Sequence, residues 1–99
     1  MESPEKTREL IRGACARFDR DVKPSIDKGF YSIAAGDLEL IIDILNPHKS
    51  QIEDLPSGIN YLISLKFIYK ALVSNQKPSK ERMQEYKAYS AQVTMQRPD

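Results

Sequence analysis

Leu38, Ile41, Ile42 and Leu45 fall at i, i+3, i+4 and i+7, the spacing that puts side chains on one face of an α-helix. The same period recurs along most of the chain, and no stretch alternates polar and apolar residues as a half-buried strand would. There is no Asn-Gly or Asp-Gly hairpin turn either. The pattern therefore predicts an all-α fold, a small bundle of four to five mostly antiparallel helices in one domain of 99 residues.

Proline, glycine and capping residues divide the chain into helices of about 4–22, 24–35, 37–45, 51–55, 57–74 and 78–95. Ser3 is an N-cap with Pro4 at the first helical position, where its missing N–H costs nothing. Leu10, Ile11, Ala14, Cys15, Phe18 and Val22 make the first apolar stripe, and Ile26, Phe30 and Ile33 the second. Gly36 reads as a helix end and Asp37 as the next N-cap, although 24–45 is also compatible with a single bent helix. Leu40 and Ile44 widen the apolar face of 37–45, which predicts burial on more than one side. Ser50 and Glu53 have the spacing of a capping box. Gly13 interrupts the first helix, where it suits close helix packing. In the 57–74 helix, Tyr61, Leu62, Leu65, Ile68, Tyr69 and Leu72 lie on one side, yet Ile59, Ile63 and Phe67 flank Lys66 and Lys70 on the other. That helix is too apolar for one buried face alone. The last helix is sparse, with Met83, Tyr86, Tyr89 and Val93, and Arg97, Pro98 and Asp99 form a tail.

Charge excludes some functions and suggests others. The chain carries a formal net charge of +1, so it is not a polyanion binder as a whole. The charge is unevenly spread, however. Residues 24–56 set Lys28 and Lys49 against Asp27, Asp37, Glu39, Asp43, Glu53 and Asp54, for a net −4. Residues 57–99 set Lys66, Lys70, Lys77, Lys80, Arg82, Lys87 and Arg97 against Glu81, Glu85 and Asp99, for a net +4. Mutual neutralisation within one bundle is the simplest reading of that asymmetry.

The residues that usually carry chemistry are scarce. The one histidine, His48, lies in a loop flanked by Pro47, and the one cysteine, Cys15, lies on a core stripe. No base is paired with a nucleophile in a known motif. One Cys and one His are too few for a zinc site. Glu39 and Asp43 share a helix face, as solvated acids commonly do, and no Gly-rich phosphate loop is present. The expectation is a non-enzyme with no cofactor and no metal. The first five residues are acidic and lack the apolar core of a signal peptide. With a single cysteine, this favours the cytoplasm or another reducing compartment, although prior removal of a targeting segment would leave the same sequence. No apolar run reaches the ~18 residues of a membrane span.

Two functional expectations remain. The first is a non-catalytic helical protein–protein interaction module, an accessory or regulatory subunit that binds a protein partner or itself. Its candidate contacts are Ile59, Ile63, Phe67, Tyr86 and Tyr89, since aromatic residues are enriched among interface anchors. The alternative is a nucleic-acid-binding regulator using Lys77, Lys80, Arg82 and Lys87 beside Tyr86 and Tyr89.

Overall fold

The computed structural model describes residues 3–95; the tail at 97–99 lies outside them. It is 84% helical, and among the described residues there is no strand. Helix α1 spans Pro4–Arg17, and Ser3 caps it as expected, its side chain accepting the Lys6 N–H at 3.3 Å. The helix does not stop at Val22. One π turn, Phe18–Val22, carries the chain into α2, Lys23–Asp27. Pro24 explains the turn: it has no N–H, and its ring would press on the Arg20 carbonyl in a regular helix. The wider turn relieves that clash, and the Lys23 N–H reaches back to the Phe18 carbonyl.

The helix boundary expected at Gly36 lies instead at Gly29. There φ is +81°, the Gly29 N–H bonds the Ile26 carbonyl at 3.0 Å and the Phe30 N–H bonds that of Ser25 at 2.8 Å. This pair of bonds is a Schellman stop, and it ends α2. The expected 24–35 and 37–45 helices are therefore corrected to α2 and to α3, Tyr31–Leu45, which runs unbroken through Gly36 and Asp37. A glycine inside a helix costs only about 1 kcal/mol. Burial of Ala34, Ala35, Leu38, Ile41 and Leu45 outweighs it.

A 3-10 turn, Asn46–His48, leads straight into the short α4, Lys49–Glu53. Ser50 consequently sits inside α4 and no side chain caps that helix, so the expected capping box is not formed. Helix α5 spans Gly58–Val73 and ends in a second Schellman stop at Asn75, where φ is +57°. Helix α6 spans Lys80–Thr94; its N-cap is Ser79, accepting the Arg82 N–H at 3.2 Å, and Pro78 precedes the cap instead of opening the helix.

Each long helix packs against two others: α1 against α3 and α6, and α5 against α3 and α6. The four close around a core of Ile11, Phe18, Val22, Leu38, Ile41, Leu45, Tyr61, Leu65, Ile68, Leu72 and Val93. Ile52 of α4 plugs one end. Gly58 makes that plug possible, because a Cβ there would lie 1.7 Å from the Ile52 carbonyl oxygen. By contrast, Gly13 is exposed and a Cβ there meets nothing within 4 Å, so close packing is not its role. The Arg12 guanidinium donates to the Thr94 carbonyl at 2.8 Å and ties α1 to the C-terminal end of α6, where a cation complements the helix dipole.

Phe30, Ile33, Leu40 and Ile44 are all exposed, against the expectation of burial. At ~100° per residue, Ile33, Leu40 and Ile44 share one narrow arc of α3. It lies opposite Ala35 and Ile42, which pack inward. With α1 and the π turn on one side of α3 and α5 on another, no described element covers Ile33 and Leu40, while Ile44 lines a groove shared with Leu10, Arg17 and Arg20 of α1 and the π turn.

Candidate docking surfaces

Helix α5 is held by α3 and α6 through Tyr61, Ser64, Leu65, Ile68 and Leu72, all buried. Its opposite side carries Ile59, Ile63, Phe67 and Val73, between 43% and 55% exposed, with Lys66 and Lys70 exposed among them. The stripe is about 21 Å long at 1.5 Å per residue. The Arg82 guanidinium from α6 lies 3.9 Å from the centre of the Phe67 ring and pairs with Glu85 at 3.4 Å. A cation is thus held over the aromatic face, where the ring quadrupole attracts it.

Three of the five candidate interface residues, Ile59, Ile63 and Phe67, are brought together on this surface. Tyr86 is not among them, and the reading of it as a surface contact is corrected. It is 4% exposed, its ring 4.3 Å from that of Phe18 and 5.8 Å from that of Tyr61. Helix α6 has so few apolar residues that the core needs each of them. Tyr89 is half-buried against the same core. Val73 joins the exposed stripe and was missed, although its position fourteen residues after Ile59, close to four helical turns, was a signal available in the sequence.

The basic residues do not form one surface. Lys80 and Lys87 lie on one side of α6 and rim a groove of about 630 Å³ against α1, with Asp19 and Lys23 on the facing rim. Arg82 is turned some 140–160° away on the helical wheel, over Phe67. Lys77 precedes the helix. The groove floor holds Phe18, Met83, Cys15, Tyr86 and Ser90. The Cys15 thiol donates to the Tyr61 hydroxyl at 3.9 Å. Burial pushes the Cys15 thiol up from its usual range, so it stays protonated at neutral pH and is a poor nucleophile. Burial likewise raises the Tyr61 and Tyr86 hydroxyls.

On α3, Glu39 accepts a hydrogen bond from the Tyr69 hydroxyl at 3.2 Å. Burial, followed by the Glu39 carboxylate, raises the Tyr69 hydroxyl. Asp37 and Asp43 flank the exposed Ile33, Leu40 and Ile44. Among the described residues, Arg12 pairs with Glu5 and Glu9, Arg17 and Arg20 with Asp21, and Arg82 with Glu85, all local contacts. Among the described residues no group of three or more His, Cys, Asp or Glu side chains is placed to hold a metal. No helix there is long and apolar enough to cross a membrane. No protein-family model matches the chain, and no curated protein or solved structure is significantly similar to it.

Proposed function

We propose that this chain is a small non-catalytic interaction module, an accessory or regulatory subunit, that docks a protein partner on the outer face of α5. One observation carries the reading: four large apolar side chains, Ile59, Ile63, Phe67 and Val73, line one face of a helix whose opposite face already fills the core. Isolated exposed apolar residues need no explanation, whereas a continuous row of them along a helix marks an interaction surface. Lys66, Lys70 and Arg82 set the polarity of that row. The complementary partner is an amphipathic helix with apolar residues at helical spacing and acidic residues beside them.

The nucleic-acid alternative requires Lys77, Lys80, Arg82 and Lys87 to act together, and it is less well supported because they diverge around α6. A tagged pull-down from native extract, with and without nuclease, tests both readings. The wild-type chain is expected to retain a stoichiometric, nuclease-resistant protein partner. Phe67→Asp is expected to lose it, and Lys87→Glu on the groove side to keep it. A partner retained in full by Phe67→Asp refutes the α5 reading, and recovery of nuclease-sensitive material alone favours the basic residues.

A further inference from the structure

We infer that the α5 face is met by the α3 face of a second copy of this chain, so that the protein associates head to tail. The inference rests on the reading of α5 as a docking surface and supplies its partner. Two apolar stripes are left uncovered by the bundle, and they differ in charge. On α3, Ile33, Leu40 and Ile44 are 58%, 54% and 42% exposed and share their arc with Asp37, with Asp43 beside it. On α5, Lys66 and Lys70 lie within the arc of Ile59, Ile63, Phe67 and Val73. The stripes are about 16 Å and about 21 Å long, a fair match for two helices laid together.

Charge decides which faces meet. The α3 stripe has Asp37 and Asp43 in or beside its arc, and the α5 stripe has Lys66 and Lys70 within its own. The ion pairs within α1, across its π turn and within α6 leave Asp37, Asp43, Lys66 and Lys70 out. An α5–α5 contact would oppose lysines to lysines, and an α3–α3 contact would oppose acids to acids. Only α3 on α5 joins two apolar rows with opposite charges between them. Because the two faces belong to different helices, the contact is heterologous. Each added copy still presents one free face of each kind, and growth continues past the dimer unless the rotation closes a ring. One pair of helix faces covers much less than the roughly 800 Å² per partner of a stable interface, so association is expected to be weak, at roughly micromolar or higher concentrations.

The test is sedimentation equilibrium from about 10 µM to about 1 mM, near 50 mM and again near 500 mM salt, conditions chosen so that screening changes strongly. Two double variants use glutamine, which is neutral and a good helix former. These are Leu40→Gln with Ile44→Gln on α3, and Ile59→Gln with Ile63→Gln on α5, each checked for wild-type helical content by circular dichroism. The wild-type chain is expected to exceed the mass of two chains at high concentration and to fall back in high salt. Each variant is expected to stay monomeric alone. Mixed in equal amounts, they are expected to form a one-to-one pair that grows no further, since only one intact α3 face and one intact α5 face remain between them. A wild-type chain that is monomeric throughout overturns the inference and leaves the α5 reading to the pull-down. Association abolished by the α5 variant but not the α3 variant also overturns it, while retaining α5 as a docking face. Association that survives both variants overturns both readings.

Discussion

Replacing Phe67 by aspartate separates an interface residue from a core residue by magnitude. Phe67 keeps 43% of its surface in water. Full burial of such a side chain stabilises by about 1.5–3 kcal/mol, so a little over half burial contributes about 1–1.5 kcal/mol. Loss of the exposed cation–π contact with Arg82 adds about 0.5–1 kcal/mol, and attraction between the new carboxylate and the same guanidinium returns part of it. The net cost is about 1–2 kcal/mol, well inside the roughly 5–15 kcal/mol typical of a domain, and the variant should remain folded. Tyr86→Ala provides the contrast, because it empties a site packed between Phe18 and Tyr61 and should cost about 3–5 kcal/mol. Urea unfolding followed by circular dichroism measures both. The midpoint for Phe67→Asp should fall by about 1 M or less, and that for Tyr86→Ala by clearly more. If Phe67→Asp costs as much as Tyr86→Ala, Phe67 is a core residue and the docking surface loses its centre.

Two further outcomes follow from the packing. Gly58→Ala should destabilise by more than about 2 kcal/mol, because the added Cβ would lie 1.7 Å from the Ile52 carbonyl oxygen, whereas Gly13→Ala and Gly36→Ala, with nothing within 4 Å, should stabilise by about 0.5–1 kcal/mol; urea midpoints ranked in any other order contradict this. The raised Tyr61 and Tyr86 hydroxyls keep their protons in the folded chain while the unfolded chain ionises near pH 10, so the unfolded state binds fewer protons and stability should fall as pH rises from about 10 upward. Tyrosinate absorbance from these two residues should therefore appear only together with loss of helical signal, and their ionisation near pH 10 in a chain that is still helical contradicts the assignment of both to the core.

Much of the fold was legible because the bundle obeys helical periodicity. The apolar inward residues of α1 and α5 and the Ser3 cap follow from spacing and side-chain chemistry alone. The helix boundaries were less legible, for a physical reason. Gly29 and Gly36 are alike in the sequence, and what separates them is whether the chain gains more by turning or by continuing. At Gly36, five inward residues of α3 make continuing favourable. At Gly29, the Schellman bonds and the change of direction between α2 and α3 make turning favourable. The π turn is similar: Pro24 signals an interruption, but packing of Phe18 and Val22 into the core keeps the rod together through it.

The candidate surface was half legible, and the half that failed has a reason that applies to any small bundle. Each helix faces the core along one stripe, so a helix poor in apolar residues commits nearly all of them inward, and a helix rich in them has some left over. Helix α6, with few, buries Tyr86 and Val93 and half-buries Tyr89. Helices α5 and α3, with many, leave Ile59, Ile63, Phe67 and Val73 on one and Ile33, Leu40 and Ile44 on the other in contact with water. Aromatic identity therefore pointed to a buried residue in Tyr86, while surplus over what one stripe needs pointed to a helix, α5, that leaves apolar residues exposed. The same count applied to α3 would have found the second surface, since Leu40 and Ile44 widen its face beyond one stripe. The neighbours of α3 decide the matter: with α5 and α1 already on two of its sides, extra apolar width does not deepen the core and stays on the surface.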